Sequence, residues 1–183
     1  MAKRDKKKIT LGSGKLYYQE YDGTTMPTVD KICVDTNQLG WIKGGASLEY
    51  TMEKYEEKDD LGMVSKIITV SEEALLKLGL ITWNGETLTV LTSRGTTSVT
   101  SGKRTTKIGG AGNDNNKNYV WCFHHEDAAD GDVWVLLVGQ NQAGFTIAFA
   151  ADEGSLIEPE IKAIPHDAAG TLIQFIEETD ATT

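Results

Sequence analysis

The stretch Trp41 to Val70, WIKGGASLEYTMEKYEEKDDLGMVSKIITV, constrains this chain more than any other. From Ala46 its residues alternate. Ala46, Leu48, Tyr50 and Met52 point one way, and Ser47, Glu49, Thr51 and Glu53 the other, which is the period of a half-buried strand. A charged run, Lys54 to Asp60, is closed by Leu61-Gly62, and alternation resumes with Val64, Lys66, Ile68 and Val70. The pattern predicts a long β-hairpin, projecting over 44–70, whose end is a mobile, mostly acidic loop. A two-stranded ribbon that outgrows its sheet cannot bury both faces within its own domain. A partner is therefore expected to cover it.

At 183 residues the chain holds one full core and leaves little room for two. A single domain over 1–183 is expected. The N-terminus MAKRDKKKITLG is basic and lacks an apolar h-region, so it does not read as a secretory signal, and a protein made in the cytoplasm is expected. No apolar run approaches the roughly 20 residues that span a bilayer, so no membrane insertion is expected. Cys33 and Cys122 allow one disulfide, and a reducing compartment favours two buried thiols. Charge is uneven. The first eight residues carry a net +4, which leaves −13 on the remainder of a chain whose total is −9. An acidic body argues against tight binding to nucleic acid, which requires Lys and Arg on the phosphates. It is compatible with a surface that nucleic acid passes without sticking.

Residues 1–8 read as a basic, flexible arm. Lys15 to Gln19 predicts a strand, and Tyr21 to Gln38 a loop ordered by neighbouring molecules. Ser71 to Gly79 carries a helix signature, a capping Ser with early acids and a closing Gly. The alternation of Ala74, Leu76, Leu78 and Leu80, in phase with Ile68 and Val70, favours a strand there. Asn84, Glu86, Leu88 and Leu91 predict one helix. Ser93 to Thr106 reads as a surface loop or weak edge strand, and Lys107 to Asn118 as a turn cluster. Strands are expected at Tyr119 to Phe123, Asp132 to Gly139, Phe145 to Ala150, Leu156 to Ile164 and Thr171 to Glu177. The sum is a mainly β fold: an antiparallel β-sandwich or barrel with one flanking α-helix and a projecting hairpin.

Motifs that carry chemistry are weak here. Gly12-Ser13-Gly14-Lys15 lacks the earlier Gly and the following Ser or Thr of a phosphate loop, and reads as a turn. Gly109-Gly110-Ala111-Gly112 lacks the strand-to-helix setting of a dinucleotide site. Asn113 to Asn116 lacks the Glu that completes a calcium loop. His124-His125-Glu126-Asp127 is the one dense set of metal-ligand types, but adjacent histidines on a strand face opposite sides and do not readily share an ion. No catalytic residue, metal or cofactor is expected, and the chain does not read as an enzyme. Trp41, Trp83, Trp121 and Trp134 suggest core and interface aromatics, with a carbohydrate-binding β-sandwich as the rival.

The string LGWIKGGASLEYTMEKYEEKDDLGMVSK, followed by LGLITWNGETL, resembles the major tail tube proteins of tailed bacteriophages. KIGGAGNDNNKNYVWCFHHE, VGQNQAGFTIAFA and EIKAIPHDAAGTLIQF extend the resemblance over about Lys15 to Glu177. It implies a structural virion subunit, assembled in the bacterial cytoplasm, whose hexameric rings stack into a hollow tube. Its implied partners are further copies of itself, a tape-measure protein, tail-terminator and distal-tail or baseplate proteins, a sheath protein where the tail contracts, and DNA in transit. The inner tube of a contractile injection system or bacteriocin is the alternative. The expected inter-subunit contacts are Leu48, Tyr50, Met52 and Tyr55 on the hairpin. Lys6, Lys7 and Lys8 of the basic arm are expected to meet Glu53, Glu56, Glu57, Asp59 and Asp60 of a neighbour. Exposed pairs of this kind are individually weak, so only repetition around a ring makes them matter.

Overall fold

The computed structural model describes residue 4, residues 7–10 and residues 12–179. The chain is mainly β, and its strand pairs are all antiparallel. The strands are β1 (Lys15–Glu20), β2 (Gln38–Gly40), β3 (Ile42–Lys58), β4 (Ser65–Leu80), β5 (Gly95–Thr100), β6 (Lys103–Ile108), β7 (Tyr119–His125), β8 (Val133–Asn141), β9 (Glu160–Ile164) and β10 (Gln174–Glu177). A four-residue helix α1 spans Val29–Ile32, and α2 spans Gly85–Thr92. The main sheet runs β2-β1-β7-β8-β9-β4-β3, with β10 paired to the first half of β8. The two ends of that path are joined by the chain itself, because β2 passes through Trp41 directly into β3. The sheet therefore closes on itself, fastened at the junction by Ile81 N–H to Trp41 O (2.9 Å) and Trp41 N–H to Thr82 Oγ1 (2.8 Å).

Closure encloses the larger core. Leu16 of β1, Trp121 of β7, Leu137 of β8, Ile161 of β9 and Leu76 and Leu80 of β4 meet in one cluster, although β1 and β4 lie far apart along the sheet. The lone indole N–H inside it, that of Trp121, donates to Gly139 O at 2.9 Å. α2 closes one side with Leu88, Val90 and Leu91. Its start is set by Asn84, whose side chain accepts from the N–H groups of Glu86 (2.8 Å) and Thr87 (3.1 Å). Such a cap stabilises a helix by about 1 kcal/mol.

A second cluster lies on the outer face: Tyr17, Val120, Cys122, Leu136 and Val138, covered by fully buried Ile32 of α1. The segment expected to need neighbours for its order, Tyr21 to Gln38, is thus ordered by its own chain. It has no periodicity to reveal this because it contributes isolated anchors, Met26, Val29 and Ile32, rather than a continuous face. Cys33 at the end of α1 brings its Sγ to 3.5 Å from that of Cys122, and both are free thiols.

Three further expectations change. Phe145 to Ala150 is not a strand. The nearby stretch of β8 already pairs with β7 and β9, so Phe145 and Ile147 pack on the core without a ladder. Leu156 to Ile164 shortens to β9 plus a single bridge, Leu80 to Ile157. Thr171 to Glu177 shortens to β10. Ser93 to Thr106 follows the edge-strand alternative, as part of a separate two-stranded ribbon, β5–β6, standing on α2. The helix-like signature at Ser71 yields to the strand: Ala74, Leu76, Leu78 and Leu80 are buried, while Glu73, Leu75 and Lys77 are half-exposed.

Candidate functional site

β3 and β4 are much longer than the barrel that holds them. β4 pairs with β9 only at Leu75 to Lys77. The loop at Ala169 to Ile173 reaches the level of Tyr50 and Glu72. Beyond Thr51, the ribbon stands clear of the rest of the chain for about 25 Å, at about 3.3 Å per residue.

Two irregularities shape this arm. At its root, Ile42 faces Leu80 but Ala46 faces Leu78, so β3 carries extra residues there. Gly44 and Gly45 make the bulge with φ of +87° and +81°, a region closed to most side chains. Midway, Glu53 faces Ser71 and Lys54 faces Thr69, which leaves Val70 without an opposite residue. A one-residue slip exchanges the faces of everything beyond it. Ile68 consequently sits opposite Tyr55, whereas Ala74 sits opposite Tyr50. The expectation that Ile68 and Val70 share the phase of Ala74 and Leu76 is corrected by this bulge. The sequence pattern does not reveal it, since both β-branched and polar residues continue on either side.

The tip differs from expectation too. Lys54 to Lys58 is not loop but strand, paired one for one with Ser65 to Thr69. Only Asp59 to Val64 turns, and it is knit together. Asp59 N–H donates to Val64 O (3.0 Å), Val64 N–H to Asp59 Oδ1 (2.7 Å) and Gly62 N–H to Asp59 O (2.9 Å). The Val64 N–H holds the Asp59 carboxyl below its ordinary range.

The arm's surface is the unusual feature of the molecule. More than half of the exposed large hydrophobic residues described lie on it: Leu48, Tyr50 and Met52 near the root, Tyr55, Ile67, Ile68 and Val70 along it, and Leu61, Met63 and Val64 at its end. Leu61 is 84% exposed and Met63 82%, values that place whole apolar side chains in water at the tip. Exposed apolar side chains gathered on one projecting element and rimmed by charge are a hallmark of an interaction site. The rim is Glu53, bonded by Ser71 Oγ, Glu56 paired with Lys58 (3.1 Å), Glu57 bonded by Tyr55 Oη, and Asp60. Sequence reading stressed the acids and missed Leu61, Met63 and Val64. Their signal was present, since an apolar triplet interrupted only by the turn Gly is rare at a solvated loop.

No protein-family model matches this chain, and no curated protein does.

The remaining candidate residues are dispersed. Lys6 lies outside the described residues. Lys7 sits in an exposed turn, and Lys8 pairs with Asp130 of its own chain (2.7 Å). Arg4 donates to Gly131 O (2.9 Å) and lies 3.4 Å from Asp127. Backbone N–H groups of Asp130 and Ala129, together with Arg4, keep the Asp127 carboxyl below its usual range. Arg4 and Lys8 are thus anchored on the turn after β7 in the same subunit.

His124 and His125 point to opposite sides, as the strand period requires. His124 Nε2 lies 2.9 Å from Asp132 and its ring stacks on Trp134, whereas His125 Nδ1 donates to Ser13 O at 2.7 Å. No group of three or more metal-ligand side chains converges among the described residues. Lys15 of the Gly12–Lys15 turn pairs with Glu126 (2.6 Å). The tryptophans do not form a platform. Trp121 is in the core, Trp134 lies against His124, Trp83 meets Phe149 edge-on and Trp41 is exposed at the barrel junction. Among the described residues no helix is long and apolar enough to cross a membrane.

Proposed function

We propose that this protein is a structural subunit of a phage tail tube, self-assembling into stacked hexameric rings around a tape-measure protein and later conducting DNA. The observation that carries the reading is the arm: a ribbon with apolar residues on both strands and at its tip, left exposed by the described residues of its own chain. Such a ribbon has free edges and free faces. Both favour association with another copy over a dispersed state. A patch on one copy that fits a different patch on the next gives a head-to-tail contact, which builds rings when it closes and tubes when it does not. The acidic balance of the chain supports a conduit, because repulsion keeps DNA from adhering to the wall. The resemblance over Lys15 to Glu177 points the same way.

Electron microscopy of the purified protein, alone and with its tail-initiation partners, tests the proposal. Rings or tubes about 100 Å wide are expected, a scale set by six domains of this size. Replacing residues 54–70 with Asn-Gly joins Glu53 to Ser71 through a two-residue turn. That variant should unfold within about 1 kcal/mol of the wild type, since the arm buries little, yet form no tubes. Tubes of normal length from the armless variant would reject the arm as the assembling element. A glycan screen giving specific binding to the dispersed wild-type protein would favour the carbohydrate-binding alternative.

A further inference from the structure

The β5–β6 ribbon is the counterpart of the arm in charge. Between Glu86 and Asp114 the chain has no acidic residue, but it has Arg94, Lys103, Arg104 and Lys107. Two of these are neutralised at the edges of the ribbon: Arg94 by Asp114 (3.2 Å) and Arg104 by Glu86 (2.9 Å). The strand register sorts the rest. Thr97 and Thr106 share the face that meets α2, where Thr97 Oγ1 lies 2.9 Å from Thr89 Oγ1 and 3.2 Å from Thr106 Oγ1. The opposite face therefore carries Thr96 beside Lys107, Ser98 beside Thr105 and Thr100 beside Lys103. That face is exposed, and neither lysine has an acidic partner among the described residues. Hydroxyls fill the space between the two ammonium groups, which stand about 13 Å apart along β6 at about 3.3 Å per residue. Val99, opposite Arg104, lies on the same face as Thr97 and is no part of this outer surface.

We propose that this outer face of β5–β6 is the dock for the tip of the arm, residues 57–64, of a second copy of the chain. The proposal rests on the tube reading above and names the receiving surface. Charge complementarity favours this occupant. The tip presents Glu57, Asp59 and Asp60 together with exposed Leu61 and Met63, and the dock presents Lys103 and Lys107 separated by hydroxyls. Among the described residues no other element makes an extensive contact with the tip, which leaves it open to a second copy. Exposed pairs are individually weak and screened by salt. Their function in this arrangement is to set register and direction, and repetition around a ring is what makes them add up.

The test is a charge swap in the full-length protein, read by the protein concentration at which tubes appear. Lys103→Glu with Lys107→Glu should raise that concentration at least about tenfold, because it sets like charges against each other. Adding Glu57→Lys with Asp60→Lys should bring it back to within about twofold. Asp59 is left intact because its carboxylate holds the turn. The milder pair Lys103→Gln and Lys107→Gln, with thermal unfolding checked, should give a smaller rise and guards against a misfolded variant. If the wild type assembles and the lysine variants assemble equally well, the dock is wrong and the tube reading stands. If they assemble normally but lose a salt-sensitive retention of duplex DNA, the ribbon is a nucleic-acid surface, and the dock is again wrong. A wild type that stays dispersed under all conditions overturns both readings.

Discussion

Gly139 has no space for a side chain. A Cβ built there falls 2.0 Å from the carbonyl oxygen of Lys162 on β9, and the Gly139 carbonyl itself receives the Trp121 indole N–H. Gly139→Ala must part β8 from β9 and disturb the deepest aromatic of the core. We expect a loss of about 3 kcal/mol in urea unfolding, at the upper end of overpacking effects. A midpoint unchanged from wild type would show that the strands yield easily. At the outer face, the S–H of Cys122 hydrogen-bonds Cys33 and lowers the Cys33 pKa, against burial, which raises it. The same contact, reinforced by burial, pushes the Cys122 thiol up. The sign follows: Cys33 is the thiol that ionises first. Its alkylation rate should show a pH midpoint below that of an ordinary cysteine, and Cys122→Ala should move the midpoint upward by removing the donor. Cys122→Ser, which keeps a donor, should move it less. A midpoint that falls in the alanine variant would contradict this assignment.

The arm stands or falls by its turn. Asp59 has its carboxyl pKa depressed by the Val64 N–H, so the turn gains stability above the carboxyl's unfolded pKa of about 3.9 and loses it as pH falls through the lower folded value. Amide exchange at Val64 should be protected at neutral pH, and that protection should decline on acidification below about pH 4 once the intrinsic pH dependence of exchange is removed. Asp59→Asn should retain some protection with no acid transition. A transition equal to wild type in that variant would mean another group controls the turn. Much of this element was legible from sequence. Period-two alternation over Ala46 to Met52 marks the ribbon, and Asn84 marks the start of α2, because both signals are local. Less was legible where structure depends on pairing across distance. The Val70 bulge follows from how β3 and β4 count against each other, and a Thr- and Gly-rich stretch becomes β5–β6 only because α2 gives its threonines partners. The apolar tip was hidden by the weight of charge around it.

At the scale of the whole molecule, the barrel is complete and the arm is not. Leu16, Trp121 and Leu137 are fully buried by the chain's own closure through Trp41, whereas Leu61 and Met63 are left largely exposed by the described residues. That contrast is what motivates the proposed self-association. The most direct test is the peroxide oxidation rate of Met63, followed by mass spectrometry of the peptide in dispersed and assembled protein, with the solvent-exposed Met52 as a second reporter. Thioether oxidation follows accessibility. The account predicts rapid oxidation of Met63 in dispersed subunits and a rate at least about tenfold slower once tubes form. Equal rates in the two states would show that the tip remains in water after assembly, and would contradict the claim that the arm is built to be buried by a neighbour.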